Sequence, residues 1–316
     1  MSKAATVKAK PPKTPWKIDL KRNWPVYLIF LPTLIYEIVL HYVPMFGIVM
    51  AFENFSFAKG YFKSPWVGMQ NFIDLFSSAE FPTALRNTIA IAVIKCTIGF
   101  IPPIIFAFML SSLHKKKFKR TVQTFSYLPN FVASVVVAAL VVEFLSKDGP
   151  LTLLFTHVFG AENQNWLANN HIPVFWIIYV AMGIWQGLGW GSIMYVAAIS
   201  TVNGDLYEAA AIDGATRWQR LTKITLPCIM PTIVMMFVLG VGTSFIAGFD
   251  NILLLYMPST YNVADTIYTY TYRMAFTSGA NYSLSAASGL FQSVVGTVLL
   301  LGSNALSKKV TESSLF

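Results

Sequence analysis

Long apolar runs separated by short polar stretches dominate the chain. Runs near or above the roughly 20 residues needed to cross a bilayer core fall at about Trp24 to Met50, Ala84 to Leu113, Phe125 to Leu145, Ile172 to Ser200, Ile224 to Phe249 and Leu284 to Leu306. The pattern predicts an all-α, polytopic membrane protein with six transmembrane helices, the first interrupted by Pro32 and Pro44. That first run follows a basic stretch and lacks a small-residue cleavage site, so it is expected to be a retained span rather than a signal peptide.

Composition and charge sharpen this picture. Only 12% of the 316 residues are charged and 55% are hydrophobic, with a mean hydropathy of +0.57; a soluble domain carries about twice that charged fraction. The placement of the basic residues behind the net charge of +9 argues against nucleic acid. Lys3, Lys8, Lys10, Lys13, Lys17, Lys21 and Arg22 precede the first span, Lys115, Lys116, Lys117, Lys119 and Arg120 lie between the second and third, and Lys308 and Lys309 follow the last. Basic residues beside spans on alternate loops predict cytoplasmic N- and C-termini. The outer loops, about 51–83, 146–171 and 250–283, are acidic, aromatic and amide-rich (Tyr61, Trp66, Asn71, Trp166, Asn169, Tyr261, Tyr268). Those side chains suit both anchoring at the membrane interface and docking of a soluble partner. Cys96 and Cys228 read as small buried hydrophobes, and His41, His114, His157 and His171 have no metal-ligand spacing.

The loop at 201–223 is far more elaborate than a connection between spans requires. Asn203 or Asp205 can cap a helix start. Leu206 to Asp213 are mostly strong helix formers, and Gly214 suits the C′ position. Thr216-Arg217-Trp218-Gln219 reads as a capping box that opens a second helix, and Pro227 marks the start of the fifth span. Ala209 and Ala210 leave room for close approach of a partner, and Glu208 offers one negative charge. An interfacial helix pair and a docking knob both fit this composition.

The spacing of Glu208-Ala209-Ala210, Gly214, Ile224 and Leu226-Pro227 resembles the signature of binding-protein-dependent ABC importer permeases. Arg86-Asn87-Thr88 is similar to the opening of that family's core domain, and Ser64-Pro65-Trp66-Val67-Gly68 and the stretch from Asp265 to Arg273 resemble the subgroup, related to the maltose permeases, that includes lipoprotein-associated and polysaccharide or oligosaccharide permeases. The resemblance implies a type I ABC importer transmembrane domain. It divides the chain into a cytoplasmic tail 1–23, a first helix and extracytoplasmic loop 24–83, a permease core 84–308 and a tail 309–316. It implies a coupling helix from Leu206 to Gly214, with Leu206, Glu208, Ala209, Ala210, Asp213 and Gly214 meeting a separate ATPase. It also implies a second permease subunit in a heterodimer, an ATPase dimer, an extracytoplasmic solute-binding protein and an oligosaccharide substrate. No cofactor is expected on this chain, since no phosphate-binding Gly-rich loop is present; ATP and magnesium belong to the partner ATPase.

For the translocation path, aromatic faces and a few hydrogen-bonding groups suit a sugar ring, and the resemblance to the maltose permeases implies that the spans flanking the coupling loop hold it, so Gln186, Trp190 and Trp185 in the fourth span and Ser244 in the fifth are the candidates. Packing between helices is the competing role for each. Gly183, Gly187 and Gly191, and Gly240, Ser244 and Gly248, form small-residue faces that predict packing seams. Glu37 and Lys95 are charges inside spans, and a structural ion pair between them is expected. A secondary ion-coupled carrier is the alternative function; it calls for inverted repeats or broken midplane helices, and no repeat between the chain halves is evident. A membrane scaffold would not need the coupling motif.

Overall fold

A computed structural model describes residues 15–169, 174–245, 249–276 and 280–311. It resolves into two units, residues 1–49 and 50–316.

The first unit belongs to helix α1 (Trp16–Phe52), whose apolar stretch has no residue buried by protein. Such a helix needs lipid or a partner as its solvent. It begins at Trp16, eight residues before the expected Trp24. The early start is an amphipathic piece ending at Asn23, whose φ −110°, ψ 20° break the helix just before Pro25. Residues 1–14 of the basic tail lie outside the described residues. A wide turn at Ile38–Tyr42 precedes Pro44, and there a Glu37 carboxylate oxygen lies 3.2 Å from His41 Nδ1.

In the second unit, α2 (Gln70–Ser77) leads into α3 (Phe81–Ser111), α4 (Lys116–Phe131), α5 (Ser134–Phe144) and α6 (Pro150–Phe159). Then follow α7 (Val174–Ser200), α8 (Gly204–Ile212) and α9 (Arg217–Ser244), and last α10 (Phe249–Leu255), α11 (Ile267–Phe276) and α12 (Tyr282–Thr311). Among the described residues, five helices are long and apolar enough to span a membrane, and the bent pair α4–α5 makes a sixth candidate.

Three expectations need correction. The third span is not one helix over Phe125 to Leu145: α4 and α5 meet at 92°. Pro129 tightens the last turn of α4, and Val132 is extended at φ −77°, ψ 129°. The second loop helix and the fifth span are not separate helices with a start at Ile224: α9 runs unbroken from Arg217 through a wide turn at Leu221–Thr225. That turn seats Pro227, whose ring would press on the preceding carbonyl in a regular helix. The stretches expected to be outer loops are also rich in helix: α2, α6, α10 and α11 fall in or at the edge of them.

Two clusters hold the unit together. One gathers Ile91 of α3, Val137 of α5, Phe175 and Tyr179 of α7, and Ile252 and Leu255 of α10. The other gathers Leu75, Phe81, Ala84, Phe245, Ile267 and Tyr270. Arg86-Asn87-Thr88 ties the segment 262–267 to α3: Asn87 Nδ2 donates to the carbonyls of Asn262 (3.1 Å) and Asp265 (2.9 Å), Arg86 donates to the same Asn262 carbonyl, and Thr88 Oγ1 accepts from Ile267 N–H at 2.9 Å. Buried Asp265 is paired with Arg273, which also reaches Glu80 at 2.8 Å. Burial pushes the Asp265 carboxyl above the usual range, and the Thr269 hydroxyl and Arg273 oppose the shift without cancelling it.

The close helix approaches fall in a different register from the one spacing suggested. A Cβ on Gly189 would lie 2.1 Å from the Ser126 carbonyl oxygen, and one on Gly242 would lie 2.5 Å from Leu300. At Gly183, Gly187 and Gly240 a Cβ would meet nothing within 4 Å, whereas Gly191 sits 3.3 Å from Pro103 by the same measure. Gly248 lies outside the described residues, as does His171.

Candidate functional site: a capped surface helix and a polar cavity

Local chemistry defines α8 at both ends. Asn203 is the cap, its side chain accepting from Asp205 N–H at 3.1 Å, and Asp205 in the first turn suits the helix dipole. At the other end Gly214 takes φ +74°. Its N–H donates to Ala211 O at 3.2 Å and Ala215 N–H donates to Ala210 O at 2.8 Å. This double closure satisfies the last carbonyls and uses the left-handed conformation that glycine adopts without strain. Two residues later the Thr216–Gln219 capping box is formed in both directions, at 2.7 and 3.2 Å, and it opens α9.

The faces of α8 differ. Leu206, Glu208, Ala209, Ile212 and Asp213 are exposed, Ile212 at 87%. Tyr207 and Ala210 are half-buried on the face turned to the fold. Ala210 is thus less open to a partner than Ala209, although the sequence offered both. The Tyr207 hydroxyl hydrogen-bonds Thr225 Oγ1 at 2.8 Å, and Thr225 is buried in the wide turn, where its hydroxyl also reaches the Arg220 carbonyl at 3.4 Å. One side-chain link therefore joins α8 to the root of the following span. Sequence reasoning missed it, because neither residue type is distinctive and they stand 18 positions apart.

A cavity of about 370 Å³ lies within the second unit, lined among others by Lys95, Asn130, Tyr179, Gln186 and Asn251. They come from four separate parts of the unit. Lys95 opens a wide turn in α3 (Lys95–Gly99), Asn130 sits at the α4–α5 bend, Tyr179 and Gln186 are on α7, and Asn251 is on α10. Gln186 Nε2 donates to the Val132 carbonyl at 3.1 Å, which supplies a partner for backbone freed by the bend. Bare Gly183 and Gly187 form part of the wall.

The remaining sequence candidates are distributed as follows. Trp185 and Trp190 are about half-exposed, at 53% and 52%, and Trp190 meets Phe131 edge-on at 5.8 Å; neither is among the cavity's lining residues. Ser244 Oγ lies 3.3 Å from Cys96 Sγ and donates to the Val241 carbonyl. Lys95 and Glu37 belong to different units. Lys95 Nζ stands 5.9 Å from the centre of the Tyr179 ring. Asn130, Tyr179 and Asn251 were not foreseen as lining residues; an amide beside a proline in an apolar run was the available signal for Asn130. Among the described residues, no group of His, Cys, Asp and Glu is placed to hold a metal.

A family model described as "Binding-protein-dependent transport system inner membrane component" matches residues 99–312. Protein LplB of Bacillus subtilis (strain 168) is 38% identical over 302 residues, covering 95% of this chain and 94% of that protein. The polygalacturonan/rhamnogalacturonan transport system permease protein YteP of the same organism is 37% identical, covering 92% and 90%. Among solved structures, a chain of a bacterial alginate ABC transporter, in complex with an alginate pentasaccharide-bound periplasmic protein, is 40% identical with a TM-score of 0.85, covering 95% of this chain and 99% of that one. The fold is that of a type I ABC importer permease, and the chain belongs to the family of inner-membrane components of binding-protein-dependent transport systems.

Proposed function

We propose that this chain is one of two permease subunits of an ATP-driven importer of oligosaccharides, and that α8 is the element a separate ATPase grips. The carrying observation is the build of α8: an exposed helix capped at both ends and fixed at its inner face by the Tyr207–Thr225 hydrogen bond. A capped, anchored helix passes on displacement that a loose loop would absorb. Leu206, Ala209 and Ile212 supply the apolar contact, Glu208 and Asp213 the charge at its rim, and Gly214 the sharp turn that sets the helix off from α9.

In this reading ATP and magnesium bind the partner ATPase. Closure of its dimer moves the α8 of each permease subunit and drives the spans between inward-open and outward-open states. A solute-binding protein delivers the sugar from outside. The relatives named for polygalacturonan, rhamnogalacturonan and alginate support a saccharide as cargo.

The test is uptake by the complete transporter carrying Glu208→Lys or Gly214→Pro. Transport falls to background while insertion of the chain in the membrane persists. Normal uptake by both variants, or substrate-dependent uptake by the chain in liposomes without ATP, overturns the proposal.

A further inference from the structure

The cavity beside α7 holds one cation and no anion. Among the described residues of its unit, no carboxylate lies within 4 Å of Lys95 Nζ. The cavity's other polar linings are the amides of Asn130, Gln186 and Asn251 and the Tyr179 hydroxyl. Amides share polar contacts with an ammonium but do not neutralise it, and a lone charge inside a span is costly unless it is used. A second group in the same wall is unfinished. Asn251 lines the cavity, and its Oδ1 is buried with no hydrogen-bond partner, an unsatisfied acceptor in that wall. Gln186 gives its amide N–H to Val132, which leaves its carbonyl as a further acceptor.

We propose that this cavity receives a uronate unit of the transported saccharide, its carboxylate on Lys95 and its hydroxyls on Asn251, Gln186 and Asn130. The inference rests on the reading of the chain as a saccharide permease and narrows the cargo to an acidic one. A single ammonium matches the single charge of a sugar carboxylate. The unfilled acceptors match hydroxyl donors, which a simple carboxylic acid lacks. The bare faces of Gly183 and Gly187, where a Cβ would meet nothing within 4 Å, leave the wall flat enough for a ring to slide past. The volume of about 370 Å³ sits at the small end of the roughly 300–1,000 Å³ range of ligand sites, room for one sugar unit at a time rather than a whole chain.

The experiment uses the complete transporter in proteoliposomes. Its probes are tetragalacturonate, an alginate tetrasaccharide, their methyl esters, and neutral maltotetraose. Wild type takes up a uronate probe with a lower KM than its ester. Lys95→Gln shrinks that acid-to-ester preference about tenfold, the scale of one charge-assisted contact, and Lys95→Arg recovers much of it. Equal losses for acid and ester overturn the proposal and make Lys95 structural. Rescue of Lys95→Glu by Glu37→Lys also overturns it, in favour of an ion pair between those two residues. Uptake of maltotetraose alone overturns the acidic class but upholds the saccharide reading. ATP-dependent uptake of none of the saccharides overturns the saccharide reading itself.

Discussion

Loosening α8 at Tyr207 isolates rigidity from docking chemistry, since the exposed residues are untouched. Tyr207→Phe removes one hydroxyl and leaves Thr225 with only its 3.4 Å contact to the Arg220 carbonyl. A neutral hydrogen bond contributes about 0.5–1.5 kcal/mol net, which is a factor of about 2 to 13 in the ratio of anchored to detached helix. Uptake and ATP hydrolysis, followed together in proteoliposomes, give the sugar moved per ATP. Tyr207→Phe lowers that ratio within this range while hydrolysis continues. Thr225→Val lowers it further, because it also breaks the contact inside the wide turn. The double variant is no worse than Thr225→Val, and the cycle returns an interaction of about 1 kcal/mol. An interaction below about 0.3 kcal/mol, the level at which independent sites add, refutes the link.

Other positions give sharp expectations. Gly189→Val drives a side chain into the Ser126 backbone, where even a Cβ would sit at 2.1 Å; folded, monodisperse protein in detergent is lost, whereas Gly187→Ala, whose Cβ meets nothing within 4 Å, folds normally. Arg273→Gln strands Asp265, which is 3% exposed; breaking such a pair costs about 3–5 kcal/mol, seen as a lowered melting temperature, and adding Asp265→Asn recovers part of it. The deficit shrinks in acid. A carboxyl whose folded pKa is raised, as burial raises that of Asp265, contributes stability that is full below its unfolded pKa and is lost as pH rises through the folded value.

The parts of this molecule written in nearby residues were legible in the sequence. Asn203, Gly214 and the Thr216–Gln219 box act over two to five positions, so their spacing states their geometry. The spans were legible as apolar runs, but their interruptions were not. Averaged over a window, Pro129 and Asn130 vanish into the run from Phe125 to Leu145, although together they turn the chain through 92°. Spacing identified glycine faces but not which face meets a neighbour, so the close approaches fall at Gly189 and Gly242 instead of along the 183–191 row. The cavity was half visible. Lys95 and Gln186 stood out as polar residues inside spans, while Tyr179 and Asn251 acquire meaning only when tertiary folding brings α7 and α10 to the wide turn of α3.

The central claim is that α8 is the handle by which an ATPase drives this subunit. The most direct measurement is copurification of the tagged chain, expressed with its partner subunits, as wild type and as a Leu206→Asp, Glu208→Lys double variant. The account predicts that wild type brings down an ATPase and a second multi-span subunit, and that the variant keeps the second subunit and loses the ATPase. An ATPase retained by the variant in wild-type amount, or absent from wild type while the second subunit is present, contradicts it.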